Sequence, residues 1–204
     1  MMQKKYLIIM GVILLLSFPQ NIFAHPHVFI SQRVKIVFDQ NGLAGFNMEW
    51  EFDDMFASMI AGDYDINRNW ILEKNEISTI KKKAFSYLAH SDYFTFIKID
   101  QKPFKVKFVK DFSAELKTKK LIYKFFIPCH VSAKKDIKHI IVATYDPTYY
   151  SAIFFAKKNG VTLDNPQGNL KKFEIKTLVK EDKSTKIYFD MINPMALFMD
   201  FKLK

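Results

Sequence analysis

The chain has 204 residues, with 31 Lys and Arg against 21 Asp and Glu, a formal net charge of +10, and a high aromatic content of 21 Phe, 9 Tyr and 2 Trp. That length supports one domain with a sizeable core; six glycines argue against a Gly-rich nucleotide-binding fold, and a single cysteine, Cys129, excludes an intrachain disulfide. The basic residues are scattered, and their longest run, Lys81-Lys82-Lys83, falls on an expected helix, so the charge reads as a solvated face and nucleic acid is not an expected partner.

Residues 1–24 read as a cleaved signal peptide. Lys4 and Lys5 form a charged start, Tyr6 to Phe18 is an uncharged apolar run too short to span a bilayer, and Ala24 supplies the small residue at the cut. Removing the leader's two lysines leaves 29 basic residues against 21 acidic ones, a net of +8. No later apolar run is long enough to cross a membrane, so the exported product, residues 25–204, is expected to be a single soluble domain without a stable span.

His27 to Phe38 and Leu43 to Phe52 read as two strands joined by the turn Asp39-Gln40-Asn41-Gly42, an expected hairpin with Phe46, Met48, Trp50 and Phe52 on one face. The period then becomes helical. Met55, Phe56, Met59 and Ile60 share a stripe over Asp54 to Gly62, with Asp53 or Asp54 as cap, and Ile77, Ile80, Ala84 and Leu88 share another over Glu73 to His90. Strands return at 94–100, 104–109, 112–116, 121–128, 138–145, 151–156, 173–179 and 185–189, and a last one places Met195, Leu197, Met199, Phe201 and Leu203 on one face. The expected fold is α+β: a mostly antiparallel, sandwich-like domain with an EF-hand-like helix–loop–helix inserted over about 54–90.

Between the two helices, Asp65 to Glu76 has the spacing of a calcium loop. Asp65, Asn67 and Asn69 supply oxygens at positions 1, 3 and 5, Ile71 its carbonyl at position 7, and Glu76 a carboxylate at position 12. Position 6, where the chain turns with positive φ, holds Trp70 instead of glycine. The left-handed conformation costs a bulky residue on the order of 1–2 kcal/mol, so calcium binding is expected to be weak, and closure of the loop by hydrogen bonds from Asp65 without an ion is the preferred reading.

Cleavage after Ala24 would place His25-Pro26-His27 at the new terminus. The free amine and ring of His25 can chelate a metal, and His27 adds a second imidazole. A nickel or copper site built on backbone nitrogens is excluded because Pro26 has no N–H to lose. The remaining donors suit nickel, cobalt, zinc or copper, and because they must be deprotonated, binding should weaken below about pH 6. His90, His130, His139 and Cys129 are the other soft or borderline donors; Cys129 and His130 are adjacent on a strand and should face opposite ways. Asp146-Pro147-Thr148-Tyr149-Tyr150 is either a strand-to-strand corner, the preferred reading, or a carboxylate at Asp146 converging on the terminal histidines. Met195 and Met199 read as core residues.

The leader followed by Ala24-His25-Pro26-His27-Val28-Phe29-Ile30, with Trp50-Glu51-Phe52-Asp53, Met59, the 65–76 loop, Asp111-Phe112-Ser113 and Tyr145-Asp146-Pro147-Thr148-Tyr149-Tyr150, resembles the domain-of-unknown-function family numbered 1007. The resemblance spans nearly the whole exported chain. It implies a periplasmic protein associated with nickel, cobalt or zinc transport, working with a membrane metal permease that is a separate chain. Relatives usually carry glycine where this chain has Trp70. The leading expectation is therefore a metal-binding accessory protein; the alternatives are a non-metal module that docks on a permease and a copper histidine-brace oxidase. No nucleophile triad, phosphate loop or paired catalytic carboxylates points to an enzyme.

Overall fold

A computed structural model describes residues 26–164, 166, 168 and 170–204. The expected leader and His25 lie outside the described residues. Among the described residues, eleven strands form two sheets. Strands β1 (Val28–Phe38), β2 (Gly42–Phe52), β5 (Lys110–Lys117), β6 (Lys120–Ser132), β8 (Ser151–Phe155) and β9 (Val161–Asp164) make the first sheet, in the order β5-β6-β2-β1-β8 with β9 also on β1. Strands β3 (Thr95–Ile99), β4 (Lys102–Phe104), β7 (Lys138–Thr144), β10 (Phe173–Glu181) and β11 (Met195–Leu203) make the second, in the order β10-β11-β7-β3-β4.

The β1–β2 hairpin forms where the pattern places it. Asp39 Oδ1 accepts from the Asn41 and Gly42 amides at 2.7 and 3.1 Å, so the carboxylate closes the turn. Alternate residues of both strands then enter the core, among them Ile30, Val34, Ile36 and Phe38 from β1 and Phe46, Met48, Trp50 and Phe52 from β2. Phe38 bridges the sheets, with ring centroids 5.3 Å from both Phe173 and Phe201.

Not every pairing is antiparallel. The edge beyond β1 is parallel: β8 pairs Val28–Gln32, and β9 pairs Val34–Val37 after a turn at 156–160. The reason is the chain path. β7 belongs to the second sheet, so the chain reaches β8 by crossing between sheets instead of through a hairpin.

The helical insertion has α1 (Asp54–Tyr64), α2 (Lys74–Lys83) and a 3-10 segment (Phe85–Phe94). Asp53 caps α1 by accepting from the Phe56 amide at 2.9 Å. Glu73 and Glu76 form a capping box at the start of α2. The expected second helix over 73–90 is thus broken at Ala84, whose φ of −120° ends the regular turns. Phe85 then packs on Phe112 at 4.2 Å, Phe125 at 5.1 Å and Tyr123 at 5.9 Å, seating the insertion on the first sheet.

Three other expectations are corrected. The strand expected at 104–109 is only Lys102–Phe104, an edge strand where Pro103 needs no ladder partner. The stretch expected as a strand at 185–189 is a turn region with one isolated bridge, Ile187 to Ile192, because Tyr188, Phe189 and Asp190 all have positive φ. Met199 is buried as expected, but Met195, at the strand end, is 37% exposed. Among the described residues, no helix is long and apolar enough to cross a membrane.

Candidate metal centre at the start of the first strand

His27 sits where β1 begins. Its amide donates to the Tyr150 carbonyl at 2.8 Å, and the Val28 amide reaches the same oxygen at 3.2 Å. The His27 and Tyr150 rings lie 4.9 Å apart, tilted by 37°. The parallel β1–β8 pairing causes this, since Val28 is opposite Ser151 and the preceding residues of both strands must meet. The His27 amide is therefore spent on Tyr150. With Pro26 beside it, a second backbone nitrogen is lost to any site of the deprotonated-amide kind.

Asp146 is buried and organises the turn that holds Tyr150. Its Oδ1 accepts from the Thr148 amide at 2.9 Å and the Thr148 hydroxyl at 2.7 Å, and its Oδ2 accepts from the Ser151 amide at 3.1 Å. The Tyr149 amide donates to the Asp146 carbonyl at 2.9 Å, closing the Asp-Pro-Thr-Tyr corner. The fold thus brings Asp146 and His27 to the same end of the first sheet, linked through Tyr150. The carboxylate acts there on its own turn.

Asp53 was legible only as a helix cap, yet it has a second role. Its Oδ2 accepts from the Phe29 amide at 2.7 Å, and its own amide donates to the Phe29 carbonyl at 3.0 Å. One carboxylate therefore ties the first turn of α1 to β1, two residues after His27. The repeated acidic pair Asp53-Asp54 carried no sequence signal for that second bond, because Phe29 is 24 positions away.

The 65–76 loop is closed by its own backbone. Asp65 accepts from the Asn69 amide at 3.2 Å and the Trp70 amide at 2.8 Å. Glu76 accepts from the Ile66 amide at 2.8 Å and the Glu73 amide at 2.9 Å. Asn69 Oδ1 accepts from the Ile71 amide at 2.7 Å, and the side-chain amides of Asn67 and Asn69 both donate to Glu73 Oε1. The Glu73 carboxyl is held below its ordinary value by its hydrogen bond with Glu76 and then by those to Asn67 and Asn69. Trp70 takes φ of 61°, the left-handed conformation that position 6 requires, and remains 43% exposed.

The other donors are dispersed. Cys129 is buried, and burial pushes its thiol up to about 12, while His130 faces out from the same strand. His139 Nδ1 lies 2.8 Å from Asp200 Oδ1. His90 Nδ1 donates to the Tyr87 carbonyl at 3.1 Å, an exposed local bond. Among the described residues, no group of three or more His, Cys, Asp or Glu side chains could hold a metal ion.

Comparison with known proteins places relatives beside this geometry. A family model described as "Protein of unknown function (DUF1007)" matches residues 10–188. An "Uncharacterized protein" of Haemophilus influenzae is 29% identical over 174 residues, covering 82% of this chain and 80% of that relative. An "Uncharacterized 15.5 kDa protein in trpE 3'region" of Spirochaeta aurantia is 30% identical over 107 residues, covering 52% of this chain and 75% of that relative.

Proposed function

The chain belongs to the DUF1007 family of proteins of unknown function, and from that premise we propose that it is an exported accessory protein that binds a divalent transition metal as cargo and passes it to a membrane permease. Nickel, cobalt, zinc and copper are the candidate ions, and the periplasm is the compartment. The amine and ring of His25 form the chelate, and His27 supplies a second imidazole. One observation carries the reading: His27 is anchored, its amide on the Tyr150 carbonyl and its ring against the Tyr150 ring. A terminal histidine held on a rigid edge loses less freedom on binding than one on a frayed end. Asp146 serves by holding that turn.

Calorimetric titration of the processed protein with each ion tests this. The double substitution His25→Ala, His27→Ala should abolish tight binding, and one extra residue before His25 should weaken it by removing the chelating amine. Unchanged affinity in the double variant would sink the site.

The helix–loop–helix is EF-hand-like in this reading, with calcium affinity set low. Its carboxylates already close the loop on backbone donors, and an ion must rearrange those bonds. Trp70→Gly should then raise calcium affinity by about tenfold, the equivalent of removing roughly 1–2 kcal/mol of backbone strain; equal affinities in a terbium-luminescence titration would refute that account.

A docking role is supported by a different observation. The expected apolar stripe of α1 splits: Ile60 is buried, whereas Met55 and Met59 are 66% and 50% exposed, and Phe29, tied to the α1 cap, is 48% exposed. In this reading Met55 and Met59 are the side chains that meet the permease. Capture of the permease that persists in chelator and fails in Met55→Glu, Met59→Glu would assign the contact to that face; capture indifferent to both changes would exclude it.

A further inference from the structure

Among the described residues the two sheets have four edges, and three of them are blunted. β4 is three residues long and carries Pro103. β5 has a register shift between Lys110 and Ser113. The edge made by β8 and β9 is broken by the turn at 156–160. The fourth edge, β10, runs nine residues without proline and pairs β11 with no register shift. A long, regular, uncovered edge is a template for another strand, and folded proteins rarely leave one.

The β10–β11 register shows which backbone groups this edge offers. Just past the two ends of the ladder, the Asp182 amide donates to the Pro194 carbonyl at 2.8 Å and the Lys204 amide to the Lys172 carbonyl at 3.0 Å. Both pairs continue the same register, in which Phe173 is opposite Leu203 and Glu181 opposite Met195. Hydrogen-bonded residues alternate along an antiparallel strand, so the even-numbered residues of β10 turn their amides and carbonyls toward β11. Phe173, Ile175, Thr177, Val179 and Glu181 turn theirs outward. The side chains of Ile175 and Val179 pack partly against the core, whereas Lys176, Thr177 and Leu178 are exposed.

The order of charges along β10 selects its partner. Laid antiparallel on a second copy about a two-fold axis at Thr177, the strand overlaps itself completely. Glu174 then faces Lys180 of the other copy, Ile175 faces Val179, and Lys176 faces Leu178. The outward-pointing residues meet one another, as the ladder requires. Glu174 and Lys180 fall at a pair without ladder bonds, where side chains approach most closely. Glu174 already collects Lys202 at 3.2 Å and Lys176 at 3.6 Å, and Lys180 rests over the Phe198 ring, so exposed side chains need only turn to meet. Moving the axis by one residue keeps the bonding pattern but sets Lys176 against its own copy, or against Lys180. The lysines that would repel other registers leave this one free of like-charge pairs.

We propose that β10 is a self-association edge: two copies of this chain pair through it, antiparallel about Thr177, and join their second sheets into one continuous sheet. Such an interface is isologous, the same strand serving on both sides. It covers Ile175 with the partner's Val179 and Val179 with the partner's Ile175, and it is independent of the terminal chelate.

Sedimentation equilibrium of the exported protein, at concentrations reaching about 1 mM, should show monomer and dimer in exchange. EDTA is present throughout, so metal bridging plays no part and failure of the metal reading leaves the result standing. Thr177→Pro should abolish the dimer while circular dichroism shows a folded monomer, because that amide lies outside the β10–β11 ladder. Lys180→Glu and Glu174→Lys should each weaken self-association about fivefold, since each sets like charges opposite at two symmetric places. An equimolar mixture of those two variants should recover the parental affinity, because the substituted positions then face each other with opposite charges. Should Thr177→Pro fail to fold, the charge variants and their mixture decide. A dimer indifferent to these changes, or a mixture no tighter than its components, would overturn the proposal. So would a monomer at every concentration, which would leave the edge to a strand of another protein.

Discussion

Replacing Asp146 with alanine would test whether this carboxylate organises the turn or serves as a ligand. The substitution removes the acceptor for the Thr148 amide, the Thr148 hydroxyl and the Ser151 amide. Hydrogen bonds to a charged group contribute about 1.5–3 kcal/mol each, but the part-buried Thr148 donors regain water and the buried charge is relieved, which leaves a net loss of about 2–4 kcal/mol. For a chain of this size that lowers Tm by about 5–12 °C. Thermal melts followed by circular dichroism measure it, and the proton spectrum of the His27 ring should change in step, because Tyr150 is released. Asp146→Asn separates the two roles. A ligand role predicts lost metal affinity with little change in Tm; an organising role predicts a lower Tm in both variants, with metal affinity falling only as far as His27 loosens. A Tm drop below about 2 °C in the alanine variant, with the His27 ring undisturbed, would refute the reasoning.

Other outcomes follow from the same geometry. Gly45 has φ of +155° at a bulge in β2, and an added Cβ would meet the Ile127 carbonyl oxygen at 2.2 Å, so Gly45→Ala should lower stability by about 1–3 kcal/mol in urea unfolding; a wild-type midpoint would show that the bulge yields. Cys129 is fully buried with its thiol pushed up to about 12, so a thiol reagent at pH 8 should label the native protein far more slowly than the unfolded one, and equal rates would contradict that burial. Burial works to raise the Asp182 carboxyl, but bonds from Ser184 and Thr185 and the Lys98 ammonium at 3.6 Å outweigh it and hold the group below its ordinary value. A depressed carboxylate stabilises the fold above its unfolded pKa of about 3.9 and loses that contribution as pH falls through the lower folded value. Asp182→Asn should therefore be less stable than the parent at pH 7 and converge with it toward pH 2 in melts; a gap that stays constant with pH would exclude the charge as the cause.

Much of the fold was legible because local rules and the core agreed. The β1–β2 hairpin announces itself through alternation on both sides of Asp39-Gln40-Asn41-Gly42, and the structure places its register and its buried face there. The last strand reads equally well through Leu197, Met199 and Phe201. The misses have local causes. Val161–Asp164 is four residues long, too short to show alternation, and exists as a strand because β1 offers it an edge. The helical pattern from Glu73 to His90 continues on paper through Ala84, where the chain instead turns to bury Phe85 against Phe112 and Tyr123. Tyr188, Phe189 and Asp190 have strand-like composition but lie in a left-handed turn.

The candidate site divides in the same way. Residue types and spacing alone single out the His25-Pro26-His27 start, the missing proline N–H and the non-glycine residue at loop position 6, because each depends on covalent structure or on neighbours within a few positions. Only the tertiary structure joins His27 to Tyr150, since that contact requires the crossover that lays β8 parallel to β1, whereas Phe29 meets Asp53 because the β1–β2 register sets Ile30 opposite Phe52. The open edge of β10 is likewise invisible in the linear chain, where 173–179 reads as one strand among many. The register with β11 decides which of its backbone groups point outward, and that exists only once the second sheet has assembled.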